Sequence, residues 1–534
     1  MTTKEEMRKA MRLPCAVCGA VPEKRTGFPE LCDTCSIAKL GAIIDKINDS
    51  DSTYQCLSDI GNAKRLVMRH GKEYRHAAER GWMRWTGCRW EEDKLLAVVE
   101  DAKDTVEKIR GEVSLIRKMI NETEDEKKER QEAQKAVVAW AKTSESRRSI
   151  DAMIHLAKSD PAISCTIDNF DARLNLFNFQ NGTYDFDKME FHPHQREDML
   201  THMSEMNYEA GRECPEFKKF VLDVQGGNQA MADYLQRCAG YTMSANVGEH
   251  DLFIPWGPGG TGKGTFIRVM QGIMGDYCAT PDAEMFMAKR GDAGQPFDLA
   301  RLAGVRALFA EETEENKRLA VGKLKKLTGG GRISACFKGC DHFEYPIIYK
   351  VWLATNSLPR VPASDDAVWQ RVKPIPFNVR YRDTELEIKD YADKLLEKEG
   401  SGILNWMIDG YAMWKKEGLA APIEVVEAAK DWQDGEDWLQ RFLDECTDAS
   451  SNTKTYASAS TMWKAFQYWV GDNKECRVVT SRVFNDGMEK KGFKQSPRNV
   501  NGRSVKLWIG LAVRLTADSF RADVIEPSDF GFSQ

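Results

Sequence analysis

Residues 257–266 read GPGGTGKGTF, preceded by the apolar run DLFIPW and followed by IRVMQGIMG. Strand, glycine-rich turn and amphipathic helix is the order that a phosphate-binding loop requires. Glycines let successive backbone N–H groups close around phosphate oxygens, the helix N-terminus adds the positive end of its dipole, and a lysine reaches toward the β and γ oxygens. Gly257, four intervening residues, Gly262 and Lys263 meet that spacing. The stretch assigns Gly257, Pro258, Gly259, Gly260, Thr261, Gly262, Lys263, Gly264 and Thr265 to ATP binding. One position departs from the pattern. Gly264 stands where a Ser or Thr hydroxyl ordinarily helps to hold Mg²⁺, so either Thr265 takes over that ligand or the metal is held through water.

The chain downstream supplies the groups a phosphate loop needs for chemistry. VRALFAEETEEN is an apolar strand ending in Glu311 and Glu312. A carboxylate pair at such an edge can bind Mg²⁺ with one member and polarise an attacking water with the other. YKVWLATNSLPRV is a further apolar strand that ends at Asn356, whose amide could orient the lytic water. AVWQRVKPIPF brings Arg371, which need not face its own nucleotide and in a ring could reach a neighbour's phosphate. Taken singly, Asn356 is equally a strand-end cap and Arg371 a surface ion-pair partner; their order after the loop and the carboxylates favours the catalytic roles.

The rest of the chain surrounds this segment with other modules. Its 534 residues exceed what one core serves, and roughly three to five domains are expected. A composition of 42% hydrophobic and 30% charged residues fits a globular protein. No apolar run approaches the roughly 20 residues needed to cross a bilayer, and MTTKEEMRKAMRL lacks a signal-peptide core, so a cytoplasmic protein without membrane partners is expected. A net charge of −6 argues against wholesale coating of nucleic acid, though not against a local basic groove. Cys15, Cys18, Cys32 and Cys35 form paired CxxC knuckles, the spacing of a structural tetrahedral Zn²⁺ site in a small ribbon.

From Ala38 to about Asp160 the pattern is mostly helical, with KLLAVVEDAKDTVEKIRGEVSLIRKMI continuing into NETEDEKKERQEAQKAVVAWAK. GWMRWTGCRWEED interrupts it as a hairpin whose Trp82, Trp85 and Trp90 are core candidates before they are base-stacking ones. LFNFQNGTYDFDKMEFHPH reads as another hairpin, turning at Asn181–Gly182, with Asp185 and Asp187 as decoration rather than a polymerase pair. Near the end, TMWKAFQYWVGDNKECRVVTSRVFNDGMEKKGFKQSPRNVNGRSVKLWIGLAV has the outline of a winged helix. Thr480 to Lys491 would be its recognition helix and Arg498 to Lys506 its wing. Arg482, Lys490, Lys491, Lys494, Arg498, Arg503 and Lys506 give it the positive charge of a DNA contact.

The ending GKGT resembles loops of adenylate kinase. The set made by the loop, the EE strand, KLKKLTGGGRISACFKG, WLATNSLPRV and WQRVKPIPF resembles instead the helicase core of phage and plasmid primase–helicases. These are a superfamily 3 branch related to poxvirus replication ATPases. SDIGNAKRLVMRHGKEYR, WAKTSESRRSIDAMIHLAKSDPAI and CPEFKKFVLDV are similar to the domain that precedes that core, and GILNWMIDGYAMWKKEGLAAP to the helical part that follows. The resemblance implies an α/β fold with an AAA+ P-loop NTPase core. It implies a homo-oligomeric ring, usually a hexamer, that hydrolyses ATP at subunit interfaces and moves along single-stranded DNA at a fork, working with a primase, polymerase or other replication protein. Carried over by motif, Lys263 is the Walker A lysine, Glu311 and Glu312 the Walker B carboxylates with Glu312 activating water, and Asn356 the sensor. Arg371 is then the finger acting in trans, with Arg360 a further trans contact. Lys338 and His342 fall on the hairpin that enters the ring's channel, and are equally residues of a solvated turn. Gly331 and Cys336 occupy places where the family carries an Asp and an Arg, which removes any such role there. No carboxylate array for primer synthesis follows the zinc knuckles.

The domain layout that results is a zinc ribbon over 1–45, a helical and α+β domain over 46–235 and the ATPase core over 236–395. A helical segment over 396–450 and the winged helix with its tail over 451–534 complete it. Two rival readings are a DNA-binding initiator that uses ATP only to assemble, and a nucleotide kinase; the kinase leaves Asn356, Arg371 and the flanking domains idle.

Overall fold

A computed structural model describes residues 56–514 except 119, 121, 289–298, 313–316, 337–341, 364, 386, 450–454, 473–478 and 501–502. Cys15, Cys18, Cys32, Cys35 and Lys338 lie outside the described residues. The described chain divides into two compact units: one runs to Tyr208 and counts Cys336 and His342 as well, and the other takes the remainder from Glu209 on.

In the first unit Ser58 caps helix α1 (Asp59–His70), its hydroxyl accepting the Gly61 N–H at 3.1 Å. Strands β1 (Tyr74–Ala77), β2 (Gly81–Trp85) and β3 (Trp90–Glu92) form an antiparallel meander. The expected hairpin is β2–β3, with Trp85 opposite Trp90. Trp90 is fully buried against Phe170 and donates from Nε1 to the Arg196 carbonyl at 2.9 Å, while Trp82 packs edge-on to Tyr74. These tryptophans hold the core. Helices α2 (Ala97–Ile109), α3 (Glu124–Ser144) and α4 (Arg147–Ala157) follow. The charge-rich stretch therefore does not continue α2. Thr123 starts a separate helix through a capping box: its hydroxyl accepts the Glu126 N–H at 3.3 Å, and the Glu126 carboxylate accepts the Thr123 N–H at 2.8 Å.

Strand β4 (Ser164–Cys165) then pairs parallel to β1. A three-stranded antiparallel sheet follows, formed by β5 (Leu176–Phe179), β6 (Gly182–Asp185) and β7 (Glu190–His192). Its first turn is Gln180–Asn181 rather than Asn181–Gly182, because Gly182 already pairs with Phe179. Asp185 is buried and accepts the N–H groups of Asp187 at 3.0 Å and Lys188 at 3.3 Å, so it organises a turn.

The second unit opens with α5 (Pro215–Val224) and α6 (Gln229–Met243), then β8 (Leu252–Trp256), α7 (Lys263–Met274), β9 (Cys278–Ala279) and β10 (Ala307–Glu312). Next come α8 (Val321–Thr328), β11 (Arg332–Cys336), β12 (His342–Pro346), β13 (Lys350–Thr355), α9 (Asp366–Trp369) and β14 (Val372–Pro376). Five of these strands form one sheet in the order β14-β8-β13-β10-β9, and every neighbouring pair is parallel. Such a sheet is covered on both faces, which is why β13 reads KVWLAT and is buried along its whole length. Trp352 sits at the centre of the packing, 4.6 Å from Phe253 and 6.0 Å from Phe266 between ring centroids, with Nε1 donating to Thr242 at 3.1 Å.

Helix α10 (Tyr391–Glu417) lies against α6 at a glycine contact. A Cβ on Gly240 would fall 2.0 Å from the Tyr411 nitrogen, and one on Gly410 would fall 2.1 Å from the Gln236 carbonyl oxygen. Helices α11 (Ile423–Glu436) and α12 (Trp438–Cys446) lead into β15 (Thr447–Ala449), β16 (Tyr456–Ser458) and α13 (Ala459–Asp472). Then α14 (Ser481–Lys490), β17 (Gln495–Val500), β18 (Arg503–Ile509) and β19 (Leu511–Val513) end the described chain. Phe442, Phe466, Phe484, Met488 and Trp508 form the core of this last part. Among the described residues no helix is long and apolar enough to cross a membrane.

Candidate nucleotide-binding site

The turn between β8 and α7 has the backbone that its glycines permit. Gly257, Gly260 and Gly262 have φ of +140°, +83° and +89°, a region costly to any residue with a Cβ. Space forbids a side chain as firmly as conformation does: a Cβ on Gly257 would lie 2.2 Å from the Phe377 carbonyl oxygen, and one on Gly260 2.3 Å from the Arg382 Cβ. Lys263 is the first residue of α7 and is only 7% exposed. Its Nζ donates to the carbonyls of Gly257 at 2.6 Å and Pro258 at 2.8 Å and to the Thr261 hydroxyl at 3.3 Å. Burial lowers its pKa, and the nearby Glu311 carboxylate opposes that shift. The ammonium is thus held inside the curl of the loop, where a phosphate chain would meet it.

A cavity of about 410 Å³ opens over this loop. Its walls include Gly259 to Thr265, Glu311 and Glu312 at the end of β10, and Thr355 and Asn356 at the end of β13. The register explains the meeting. Strand β13 lies between β8 and β10, with Thr355 opposite both Trp256 and Glu312, so three strands finish level and their terminal side chains share one space. Glu312 is buried and Glu311 and Asn356 are exposed. Gly264 has nothing within 4 Å of where its Cβ would be, while Thr265 stands beside it in the wall. Hydroxyl and carboxylate oxygens of this kind suit Mg²⁺, which also takes phosphate oxygens and water.

Two arginines of the sequence-derived set lie elsewhere. Arg371 precedes β14, at the end of the sheet opposite the loop; its Nη1 donates to the Ala367 carbonyl, and its own carbonyl accepts the Leu252 N–H at 2.8 Å. Arg360 pairs through its backbone with the chain at Lys317 to Leu319, its N–H donating to the Lys317 carbonyl at 2.7 Å. Neither lines the cavity. Of the residues read as DNA contacts, His342 begins β12, and Arg482 and Lys490 are exposed on α14. Lys494, Arg498 and Lys506 are exposed on or beside the β17–β18 hairpin, which Arg503 helps to close opposite Val500. Lys491 is tied to Asp437 at 2.8 Å and to Gln440 at 2.9 Å, so its charge is spent on intramolecular bonds.

The cavity also contains residues that the sequence pattern did not single out: Arg268 on α7, Arg382 after β14, and Ile388, Asp390, Tyr391 and Ala392 around the start of α10. Arg268 follows Thr265 by three residues on α7, one helical turn, and could have been found; the others come from a segment without a motif.

Comparison with known proteins gives two family matches: one described as "D5 N terminal like" over residues 63–226, and one described as a family of unknown function (DUF5906) over residues 256–371. A curated relative, "Putative helicase L207/L206" of Acanthamoeba polyphaga mimivirus, is 23% identical over 331 residues, covering 57% of this chain and 34% of the relative. "Putative helicase 121R" of Invertebrate iridescent virus 3 is 22% identical over 339 residues, covering 57% of this chain and 36% of the relative. The chain thus spans about a third of the length of these relatives. Among solved structures, the apo C-terminal region of NrS-1 matches with a TM-score of 0.49 and 10% identity, over 85% of this chain and 99% of that one.

Proposed function

We propose that this chain, which belongs to the phage and viral primase–helicase family, is an ATP-dependent DNA helicase of superfamily 3 with an AAA+ core. It would serve the replication of a phage, prophage or plasmid from the cytoplasm. The observation that carries the reading is the single cavity in which the phosphate loop, the Glu311–Glu312 pair and Asn356 meet. Lys263 and the loop N–H groups bind the phosphates. Glu312, buried at the wall, takes the proton of the attacking water, and Asn356 on the intervening strand orients that water against the terminal phosphate. Thr265 and Glu311 would hold Mg²⁺, which when bound neutralises charge that builds on the phosphate oxygens.

The coupling to DNA is proposed on the same basis. Arg371 lies outside its own cavity, which supports a role for it, and for Arg360, at the site of a neighbouring copy in a homo-oligomeric ring, a hexamer in our reading. Single-stranded DNA in the channel would be gripped by the β11–β12 hairpin through Lys338 and His342. Forked duplex would be engaged by a winged helix built on α14 and the β17–β18 hairpin, where Arg482, Lys490, Lys494, Arg498, Arg503 and Lys506 supply the charge. Cys15, Cys18, Cys32 and Cys35 would hold Zn²⁺ in a ribbon that meets DNA or a primase or polymerase partner. Its domains would be the ribbon over 1–45, the preceding domain over 46–235, the ATPase core over 236–395, a helical segment over 396–450 and the winged helix with its tail over 451–534.

The test is phosphate release with and without single-stranded DNA, beside strand separation of a forked duplex. We expect DNA-stimulated hydrolysis and ATP-dependent unwinding, both lost in Lys263→Ala. Hydrolysis indifferent to DNA with no unwinding would overturn the helicase reading in favour of an assembly factor, and phosphorylation of AMP would overturn it in favour of a kinase.

A further inference from the structure

One residue that constrains the phosphate loop from outside belongs to no motif. Strand β14 pairs in parallel with β8, so the chain leaving Pro376 emerges beside Trp256 and passes over the loop. Phe377 donates its N–H to the Trp256 carbonyl at 2.8 Å; further on, Tyr381 and Arg382 donate theirs to the Gly260 carbonyl at 2.8 Å and 3.2 Å. The Arg382 side chain follows the loop's entry half. Its Cβ is 2.3 Å from where a Gly260 Cβ would be, and its Nη1 is 3.9 Å from where a Gly259 Cβ would be. Arg382 is exposed and lines the same cavity as Lys263. Among the described residues its guanidinium has no hydrogen bond or ion pair, whereas Arg380, close by on the same segment, is paired with Asp383 at 2.9 Å.

We infer that Arg382 is a cis-acting phosphate ligand, an arginine that each copy places on its own nucleotide's phosphate chain from the lip opposite Lys263. This rests on the nucleotide-binding reading of the cavity. A guanidinium offers a planar fork of donors that matches phosphate oxygens, and it remains charged at any working pH. Lys263 approaches from inside the loop and Arg382 from outside it, so a phosphate chain seated on the loop is held between two cations contributed by segments distant in sequence. The strut that fixes the loop is made by backbone atoms and Cβ, both of which alanine retains. Arg382→Ala therefore removes the guanidinium and leaves the strut.

The experiment measures binding of the slowly hydrolysed analogue ATPγS to the full chain, together with thermal unfolding without nucleotide. The wild type is compared with Arg382→Ala, Arg382→Lys, Gly260→Ala and Lys263→Ala. Loss of a charge-assisted bond predicts binding weaker by roughly 10- to 100-fold in Arg382→Ala, with an unfolding midpoint like that of the wild type. Arg382→Lys should recover part of the affinity. ATPγS binding by Arg382→Ala as tight as the wild type's would overturn the inference. So would a fall in its nucleotide-free unfolding midpoint matching that of Gly260→Ala, since the side chain would then be a strut. If the wild type and Lys263→Ala both fail to bind ATPγS, the nucleotide-binding reading itself falls and takes this one with it. If the wild type binds and Lys263→Ala does not, that reading stands whatever Arg382 does.

Discussion

The C-terminal end of the parallel sheet gathers Lys263, Glu311, Glu312, Asn356 and Arg382 around an open cavity. The N-terminal end of the same sheet gathers Arg306, Lys350, Asp251 and Arg371, and buries the first three. Arg306 donates to the Met243 carbonyl at 2.6 Å, and Lys350 donates to the Ser244 carbonyl and lies over the Tyr241 ring at 4.8 Å. These buried cations satisfy the carbonyl end of α6, where the helix dipole favours positive charge. Burial drives the Lys350 pKa far down, with Arg306 adding to the effect. Charge is abundant at both ends, so charge alone does not mark the site. What marks it is the end of the sheet at which strands turn into helix N-termini and leave donors pointing outward, the usual place for ligands in parallel α/β folds.

The comparison bears hardest on Arg371. It belongs to the closed end, and the five residues of β14 separate it from the level of the phosphate loop, a rise of roughly 3.3 Å per residue. It does not line the cavity of its own copy. If it completes a neighbour's site, Arg371→Ala should lower hydrolysis by roughly 1,000-fold while leaving ATPγS binding close to the wild type's. Mixing it with Lys263→Ala should then restore part of the activity, because some interfaces would combine an intact loop with an intact arginine. Unchanged turnover with a lower unfolding midpoint would instead make Arg371 a closed-end residue like Arg306, and the two ends would be functionally separate.

At the open end the paired carboxylates should divide. Glu312→Gln keeps the shape and loses the base, so hydrolysis should fall by about 100-fold with nucleotide affinity retained. Glu311→Gln should act chiefly by raising the Mg²⁺ concentration needed. Equal pH and Mg²⁺ profiles for both variants would merge the roles that their different burial suggests.

How much of this was legible in the sequence depended on how local each feature is. The phosphate loop is contiguous, and its glycine spacing carries both the backbone conformation and the lysine. The strands ending in Glu312 and Asn356 announce themselves as apolar runs with polar ends, and parallel pairing brings those ends level. Arg382 was invisible because its position is set by the pairing of β14 with β8, more than a hundred residues earlier in the chain, and NVRYRDTE has no period to betray it. Tyr391 and Asp390 were hidden for the same reason. The misjoined helix before Thr123 has another cause: the signature Thr-x-x-Glu was present, but helical periodicity on both sides concealed the break. Lys491 shows the limit of counting charges, since its partner Asp437 lies on a different helix boundary.

The smallest expected effect tests whether the closed end is truly dry. Asp251 is 6% exposed, and burial pushes its carboxyl up to about 7, with Lys373 at 3.4 Å pulling it back down. The folded chain then holds this proton to higher pH than the unfolded chain, where the group titrates near 3.8. Folded protein binds more protons between those values, so the contribution of Asp251 to stability declines as pH rises through that window and is constant above it. Asp251→Asn abolishes the titration. Urea unfolding at pH 5 and pH 8 should show a decline with pH that is smaller in the variant than in the wild type by about 2 kcal/mol, the other carboxylates titrating alike in both. An identical decline would mean that Asp251 is ionised throughout, held by Lys373 in water-like surroundings. The N-terminal end of the sheet would then be as open as the cavity end, and the contrast that removes Arg371 from its own site would have to rest on distance alone.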